Sequence, residues 1–347
     1  MKTKPLIRIG GLCVGFLLST VVGVMRGADA KSSGDSGYPT YEPKQRLSGD
    51  MRIVEESSAE PLMTLWVDGF KRLQPGLNMI AKGTSPLAAV PTVMSGAYDL
   101  GFPARELWPY EEELFRKIRG YDAFVVMVGL GAHNTPGLTP ALGVFVNASN
   151  PITQITLDQL DSIYSAERRR GLATEIKTWG DLGVKGDLSN RPIQAYTHRL
   201  PNGIDYYIQK VVTKGAAFKK SVIELPMRQG KLGPDEIIAD AAVKNPAAIG
   251  FGCFGNVIPG MKTIALAETD RGPYYAGTLE EVKSLRYPLA RPIYLVIDRA
   301  PGQPIAPKLL EFIRYVLSSQ GQAAVAASDG WLPLPANLVA KELAKLE

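Results

Sequence analysis

Three observations predict an α/β protein of two lobes. Strand-like and helix-like runs alternate between Met51 and Phe102, which is the pattern of a parallel, doubly wound sheet. Thr156 and Gln159 stand at capping-box spacing ahead of Leu157, Leu160, Ile163 and Tyr164, a helix that opens a second lobe. A late apolar strand, Tyr287 to Ile297, then returns to the first lobe. A chain that leaves a lobe and comes back makes two crossings. They are expected within Ala141 to Asn147 and between Ile264 and Ile297, and together they make a hinge.

The chain has 347 residues, 45% of them hydrophobic and 21% charged, enough to bury two sizeable cores. Lys2, Lys4 and Arg8 precede an apolar run from Ile9 to Val24 and a small-residue site, Ala28-Asp29-Ala30. The run is short for a membrane span, so residues 1–30 read as a cleaved secretory signal and residues 31–48 as a linker. Export to the periplasm or beyond the cell is expected, with a mature chain beginning near Lys31. The signal holds four basic residues and one acidic, so the formal +5 falls to about +2, too little to imply nucleic acid as a partner. Cys13 lies in the signal and follows Leu12, leaving Cys253 with no disulfide partner. Two distant histidines, His133 and His198, make no zinc pattern, and no metal or other cofactor is expected. No G-x-S-x-G elbow occurs, and no nucleophile, base and orienter can be assigned, so an enzyme is not predicted.

In chain order, Met51 to Val54 reads as a strand and Pro61 to Leu73 as a helix, with Pro61 in the first turn and Leu62, Trp66, Phe70 and Leu73 at helical spacing. Leu77 to Ala81 is the next strand, leading through Gly83-Thr84-Ser85 and Pro86 into a helix that ends near Met94. Asp99 to Phe102 is a third strand and Pro103-Ala104-Arg105 its turn. Phe124 to Val128 and Ala141 to Val146 are strand-like, joined by a Gly/Pro-rich loop. In the second lobe Trp179 and Leu182 should be core, Arg168-Arg169-Arg170 a solvated loop, Ile237 to Val243 a helix and Ala248 to Phe254 a strand. Pro307 to Leu317 closes the chain as a helix with Leu310, Ile313 and Leu317 on one face.

Ligands of such sheets sit beyond the carboxyl ends of the strands, so the turns are the candidate site. The stretch Ile193 to Val212 reads as strand, polar turn and helix, with Arg199, Asn202 and Gly203 in the turn and His198 beside Arg199. Unpartnered N–H groups at the helix start, together with the guanidinium, suit an oxyanion. Ser57-Ser58 and Thr84-Ser85 occupy the equivalent turns of the first lobe.

Several segments resemble the phosphate-binding branch of the periplasmic solute-binding proteins of ABC transporters. They are VFVNASNPITQITLDQLDSIYS, TWGDL, NPAAIGFGCFG, RYPLARPIYLVI and EFIRYVLSSQGQAAVAASDGWLPLP, over roughly residues 50–335. The resemblance implies a two-lobe periplasmic binding protein fold with two hinge crossings. Residues 49–142 and 285–347 would form lobe 1, and residues 143–284 lobe 2. It implies capture of phosphate or a related oxyanion for a membrane ABC permease, by a monomer, with a diverged binding or sensing module as the alternative. The family's hydroxyl turns map onto Ser57, Ser58, Thr84 and Ser85, and its arginine onto Arg199. Asn202, Gly203 and Ile204 replace its Ser-Gly-Thr, and Ala104 stands where it has an aspartate, with Arg105 following. Arg105 would clamp an anion or pair with Glu106 or Glu111. Without the aspartate, discrimination of hydrogen phosphate from sulfate is expected to weaken. Asp205 would repel an anion bound at its helix start. Arg199, Ser57 and Ser85 are expected to carry most of the affinity.

Overall fold

The computed structural model describes residues 37–347, and the signal segment and most of the linker lie outside them. Two sheets form the frame. Strands β1 (Gly49–Glu56), β2 (Leu77–Thr84), β3 (Leu100–Phe102) and β4 (Phe124–Leu130) alternate with helices α1 (Glu60–Leu73), α2 (Ala89–Met94) and α3 (Pro109–Arg119). Strands β5 (Leu142–Asn147) and β6 (Gln154–Thr156), helix α4 (Leu157–Tyr164), β7 (Gln194–His198), α5 (Gly203–Val211) and β8 (Ile223–Leu225) follow. Helix α6 (Pro234–Lys244), β9 (Ala248–Cys253), β10 (Met261–Ala267) and α7 (Leu279–Lys283) lead to β11 (Pro292–Ile297). Helices α8 (Pro307–Val316), α9 (Ser319–Ala327) and α10 (Ala336–Ala344) end the chain.

The first sheet has the order β2-β1-β3-β11-β4 and the second β6-β10-β5-β9-β7-β8. Neither is wholly parallel, as the alternation alone would predict. β1, β2 and β3 are parallel, but β11 runs antiparallel to β3 and β4. The cause is the return: Pro292 pairs with Leu130, so β11 enters the sheet at the end where β4 leaves it. In the second sheet β5 is antiparallel to both β9 and β10.

The outward crossing differs from expectation, and the return strand is shorter than expected, within the range given for the return crossing. Ala141 is buried in the second core and Leu142–Asn147 is a strand of the second sheet, so the outward crossing lies earlier, at residues 131–141. The return strand starts at Pro292 and not at Tyr287, because Tyr287 and Leu289 are buried in the second core. Arg168–Arg170 is not a purely solvated loop. Arg170 donates to the carbonyls of Val211 and Val212 at the end of α5 and pairs with Glu268 at 2.9 Å. Helix ends leave carbonyls open and favour cations, which accounts for its position.

Each lobe has its own core. In the first, Trp66, Phe70, Phe102 and Phe312 are fully buried. The apolar stripe of α1 supplies Trp66, whose indole N–H donates to the Gly321 carbonyl of α9 at 2.9 Å while its ring lies 5.3 Å from Phe102. In the second, Tyr164 and Trp179 are fully buried, and the Thr156–Gln159 capping box starts α4 as the sequence predicts. Leu182 is partly buried against the same core.

Deleting so large a fully buried group leaves a cavity, so Trp66→Ala is expected to cost about 3–5 kcal/mol. The denaturant midpoint of the variant, compared with the parent at unchanged slope, measures it.

Candidate functional site

A cavity of about 390 Å³ opens where the strand ends of the two sheets meet. The first lobe contributes Glu56, Arg105 and Trp108, the crossings Thr139 and Arg291, and the second lobe Asn202, Gly203 and Asp235. Apolar walls come from Pro86, Met227, Ile204 and neighbouring prolines. Such a size falls within the range of small-molecule sites.

The third loop is shaped by Ala104, which takes a left-handed φ of 51°. Its carbonyl accepts from the Thr139 hydroxyl at 2.7 Å, tying the loop to the outward crossing. Arg105 then turns beneath the loop. Its fork makes two 2.8 Å bonds to the Glu111 carboxylate and further bonds to the carbonyls of Glu106 and Pro86. Of the two roles expected for Arg105, the pairing with Glu111 is the one formed, and the fork is not available as a clamp. The guanidinium also stacks 3.8 Å from the centre of the Trp108 ring.

Arg291 sits where the chain re-enters the first sheet and is 4% exposed. It pairs with Glu106 at 2.9 Å and lies 4.8 Å over the Tyr207 ring of α5. Gly203, the first residue of α5, faces both lobes' key side chains. A Cβ there would stand 3.4 Å from Trp108 and 3.9 Å from the Arg291 fork. These are ordinary van der Waals distances, so the helix start packs directly against both side chains. Across the lip, Trp108 meets Tyr206 at 5.2 Å, and Lys210 pairs with Glu112 at 2.7 Å.

Hydrogen bonding around the cavity is unfinished. Arg105 Nε, Arg291 Nε and Trp108 Nε1 are buried donors with no partner among the described residues, and Asp235 Oδ1 is a buried acceptor in the same condition. Buried polar groups normally find partners, and leaving one unmet costs about 1–3 kcal/mol. Four such atoms belong to residues that line this one cavity. Burial pushes the Asp235 carboxyl up to about 6, against the opposing pull of the Cys253 backbone amide and the Arg291 charge.

Of the eight residues predicted at the site, Arg105, Asn202 and Gly203 line the cavity, and Ser57, Ser58, Thr84, Ser85 and Arg199 do not. The Ser57 hydroxyl donates to the Thr84 carbonyl at 2.9 Å, and the Ser58 hydroxyl to Glu56, whose carboxylate caps the short turn before α1. Ser85 is exposed and accepts from the Leu87 amide. Asn202 caps α5, accepting from the Asp205 amide at 2.9 Å. Arg199 is exposed, whereas His198, read as a turn residue, is buried at the end of β7. Asp205 does not confront the cavity either. Its carboxylate receives the Thr197 hydroxyl and the His198 amide and lies 3.7 Å from His198 Nδ1. Burial raises Asp205 and lowers His198, which favours the uncharged forms of both.

Among the cavity residues that escaped the sequence reading are Arg291, Trp108 and Asp235, each with an unpartnered buried atom. Arg291 interrupts the otherwise apolar run Tyr287 to Ile297, and a lone charge in such a run is the local signal that would have flagged it.

Comparison with known proteins agrees with this architecture. The PBP superfamily domain matches residues 40–320. The chain is 30% identical over 330 residues to the phosphate-binding protein PstS of Pseudomonas aeruginosa, covering 95% of this chain and 97% of that one. An ABC-type phosphate transport receptor from Vibrio cholerae has a similar fold (TM-score 0.52, 17% identity, covering 82% of this chain and 100% of that one). So does PstS from Borrelia burgdorferi (TM-score 0.52, 17% identity, covering 83% and 99%). With two sheets joined by two crossings, a cavity between them and a full-length relative of this kind, the chain belongs to the PBP superfamily, in its phosphate-binding branch.

Proposed function

We propose that this chain is an extracytoplasmic solute-binding protein that captures phosphate, or a closely related oxyanion, between its lobes and passes it to a membrane ABC permease. The relative in Pseudomonas aeruginosa is named for phosphate binding and matches along nearly its whole length. The single observation that carries the reading to this chain is the set of unpartnered donors, Arg105 Nε, Arg291 Nε and Trp108 Nε1, gathered at one cavity. Donors of this kind have one chemical counterpart, an acceptor-rich group, and Arg–oxyanion hydrogen bonds are among the strongest a protein makes. The chain is a binding protein and not an enzyme, like its relatives.

The remaining parts of the reading follow from the sequence and the topology. Residues 1–30 act as the export signal. Lobe 1 comprises the β1–β4 segment and the chain from β11 onward, and lobe 2 the segment between the crossings. The lobes close because a ligand bonded to both sides favours the shut state. The affinity rests on Trp108, Arg291, Arg105 and the start of α5, with Asn202 and Gly203 shaping that start. Ser57, Ser58 and Ser85 hold turns in shape, Thr84 supplies the carbonyl that Ser57 meets, and Arg199 stays exposed.

Titration with phosphate, arsenate and sulfate tests the function. Phosphate is expected to bind, to raise the melting temperature with concentration and to reduce the radius of gyration in scattering. Absence of binding by any oxyanion at millimolar concentration refutes it.

The site assignment is tested by two substitutions. Trp108→Phe keeps the apolar wall and removes one donor to a charged ligand, a loss of about 1.5–3 kcal/mol, or roughly tenfold to a hundredfold in Kd. Arg199→Ala is expected to change Kd by less than about twofold, since an exposed charge is well screened. The reverse ranking in calorimetry would return the site to the Arg199 turn.

A further inference from the structure

We infer that the molecule has a second binding site, for a small organic cation with a short apolar body, and that Glu106 is the residue that receives the charge. A cavity of about 330 Å³ lies between the third loop, β4 and β11 on one side and α5 on the other. No residue that lines it also lines the cleft, so the site stands or falls independently of the oxyanion reading. Its walls are mainly apolar, built from Leu107, Val125 and Val211 and the rings of Tyr207 and Tyr294.

Glu106 is the exception. It is 6% exposed, its Oε1 accepts from Arg291 at 2.9 Å, and its Oε2 is buried with no hydrogen-bond partner among the described residues. One ion pair is thus shared between two spaces, Arg291 lining the cleft and Glu106 the second cavity.

The class of ligand follows from what is unmet. A carboxylate oxygen only accepts, so the occupant must donate. An ammonium group donates with its charge, a bond roughly twice as strong as a neutral hydroxyl makes, whereas an anion would meet like charge in a largely desolvated space. The other charges at the cavity answer each other. Lys210 pairs with Glu112 at 2.7 Å and lies 3.4 Å from the Leu107 carbonyl, so neither is engaged with Glu106. The rings also favour a cation. Burial, and after it the Glu106 charge, raises the phenols of Tyr207 and Tyr294 above their ordinary value, so both line the cavity as neutral aromatics. Neutral aromatic faces attract cations, and the aliphatic walls suit a short alkyl body. The volume is at the lower end of small-molecule sites, which limits the occupant to a small one.

The probes are n-butylammonium, n-butanol and butyrate, added at neutral pH to the intact mature protein while NMR follows the methyl groups of Leu107, Val125 and Val211. Butylammonium is expected to bind at roughly millimolar concentration, to shift all three residues, and to bind about tenfold to a hundredfold more tightly than butanol, with butyrate weakest. In Glu106→Gln the side-chain carbonyl can still face Arg291 while the NH2 group stands where Oε2 was. The preference for butylammonium over butanol should then fall to within about twofold. Should that variant fail to fold, Val211→Phe places a ring in the cavity from α5 and leaves the carboxylate untouched, and butylammonium should bind it at least about tenfold more weakly than the parent. Methyl groups that do not shift, equal binding of the three probes, a preference that survives Glu106→Gln, or parent-like binding by Val211→Phe overturns the inference.

Discussion

A guanidinium buried at the point where the chain re-enters the first sheet cannot go unpaired, and the centre of the molecule is arranged around that requirement. Arg291 meets Glu106 from the third loop of the first lobe and the Tyr207 ring from α5 of the second, and Tyr207 in turn donates to the Ala290 carbonyl at 2.7 Å. Removing one member of such a pair typically costs 3–5 kcal/mol, because the other is left charged and dry. The third loop, the return crossing and the start of α5 are therefore fixed relative to one another by a single ion. The cavity is the space left between them.

The second buried couple, Arg105 with Glu111, has the same character. Both arginines are neutralised before any ligand arrives, so the cleft offers directed hydrogen bonds and little net positive charge. A ligand is held by geometry and by the match of donors to acceptors, which favours selectivity over long-range attraction. The mature chain's small net charge is in keeping with that.

Much of the scaffold was legible because periodicity reports burial. The stripe of Leu62, Trp66 and Phe70 does face the first core, and the Thr156–Gln159 spacing does start a helix. The antiparallel course of β11 was not legible, since alternation of elements says nothing about the direction from which a returning strand arrives. The site was read in part. Helix starts and turns were located, but which polar side chains enter the cavity depends on partners far along the chain. Glu106 and Arg291 are 185 residues apart, and no local pattern announces their pairing. Hydroxyls at matched turns looked like ligands, yet Ser57 and Ser58 serve the backbone and carboxylate beside them, a common competing use of serine in turns. His198 and Arg199 show the same limit over one residue: the last residue of β7 is buried, and the next, in the turn beyond the strand, is exposed.

The two crossings are not independent strings. The Gly131 amide donates to the Arg291 carbonyl at 2.8 Å and the Leu142 amide to the Leu289 carbonyl at 3.1 Å, so both run side by side as one hydrogen-bonded ribbon. A ribbon bends readily across its face and resists shear within its plane. Lobe motion is thereby reduced toward a single rotational degree of freedom, with its axis along the cleft floor. Thr139 and Arg291 lie on that ribbon and also line the cavity, so the strap that joins the lobes is at the same time part of the wall a ligand meets.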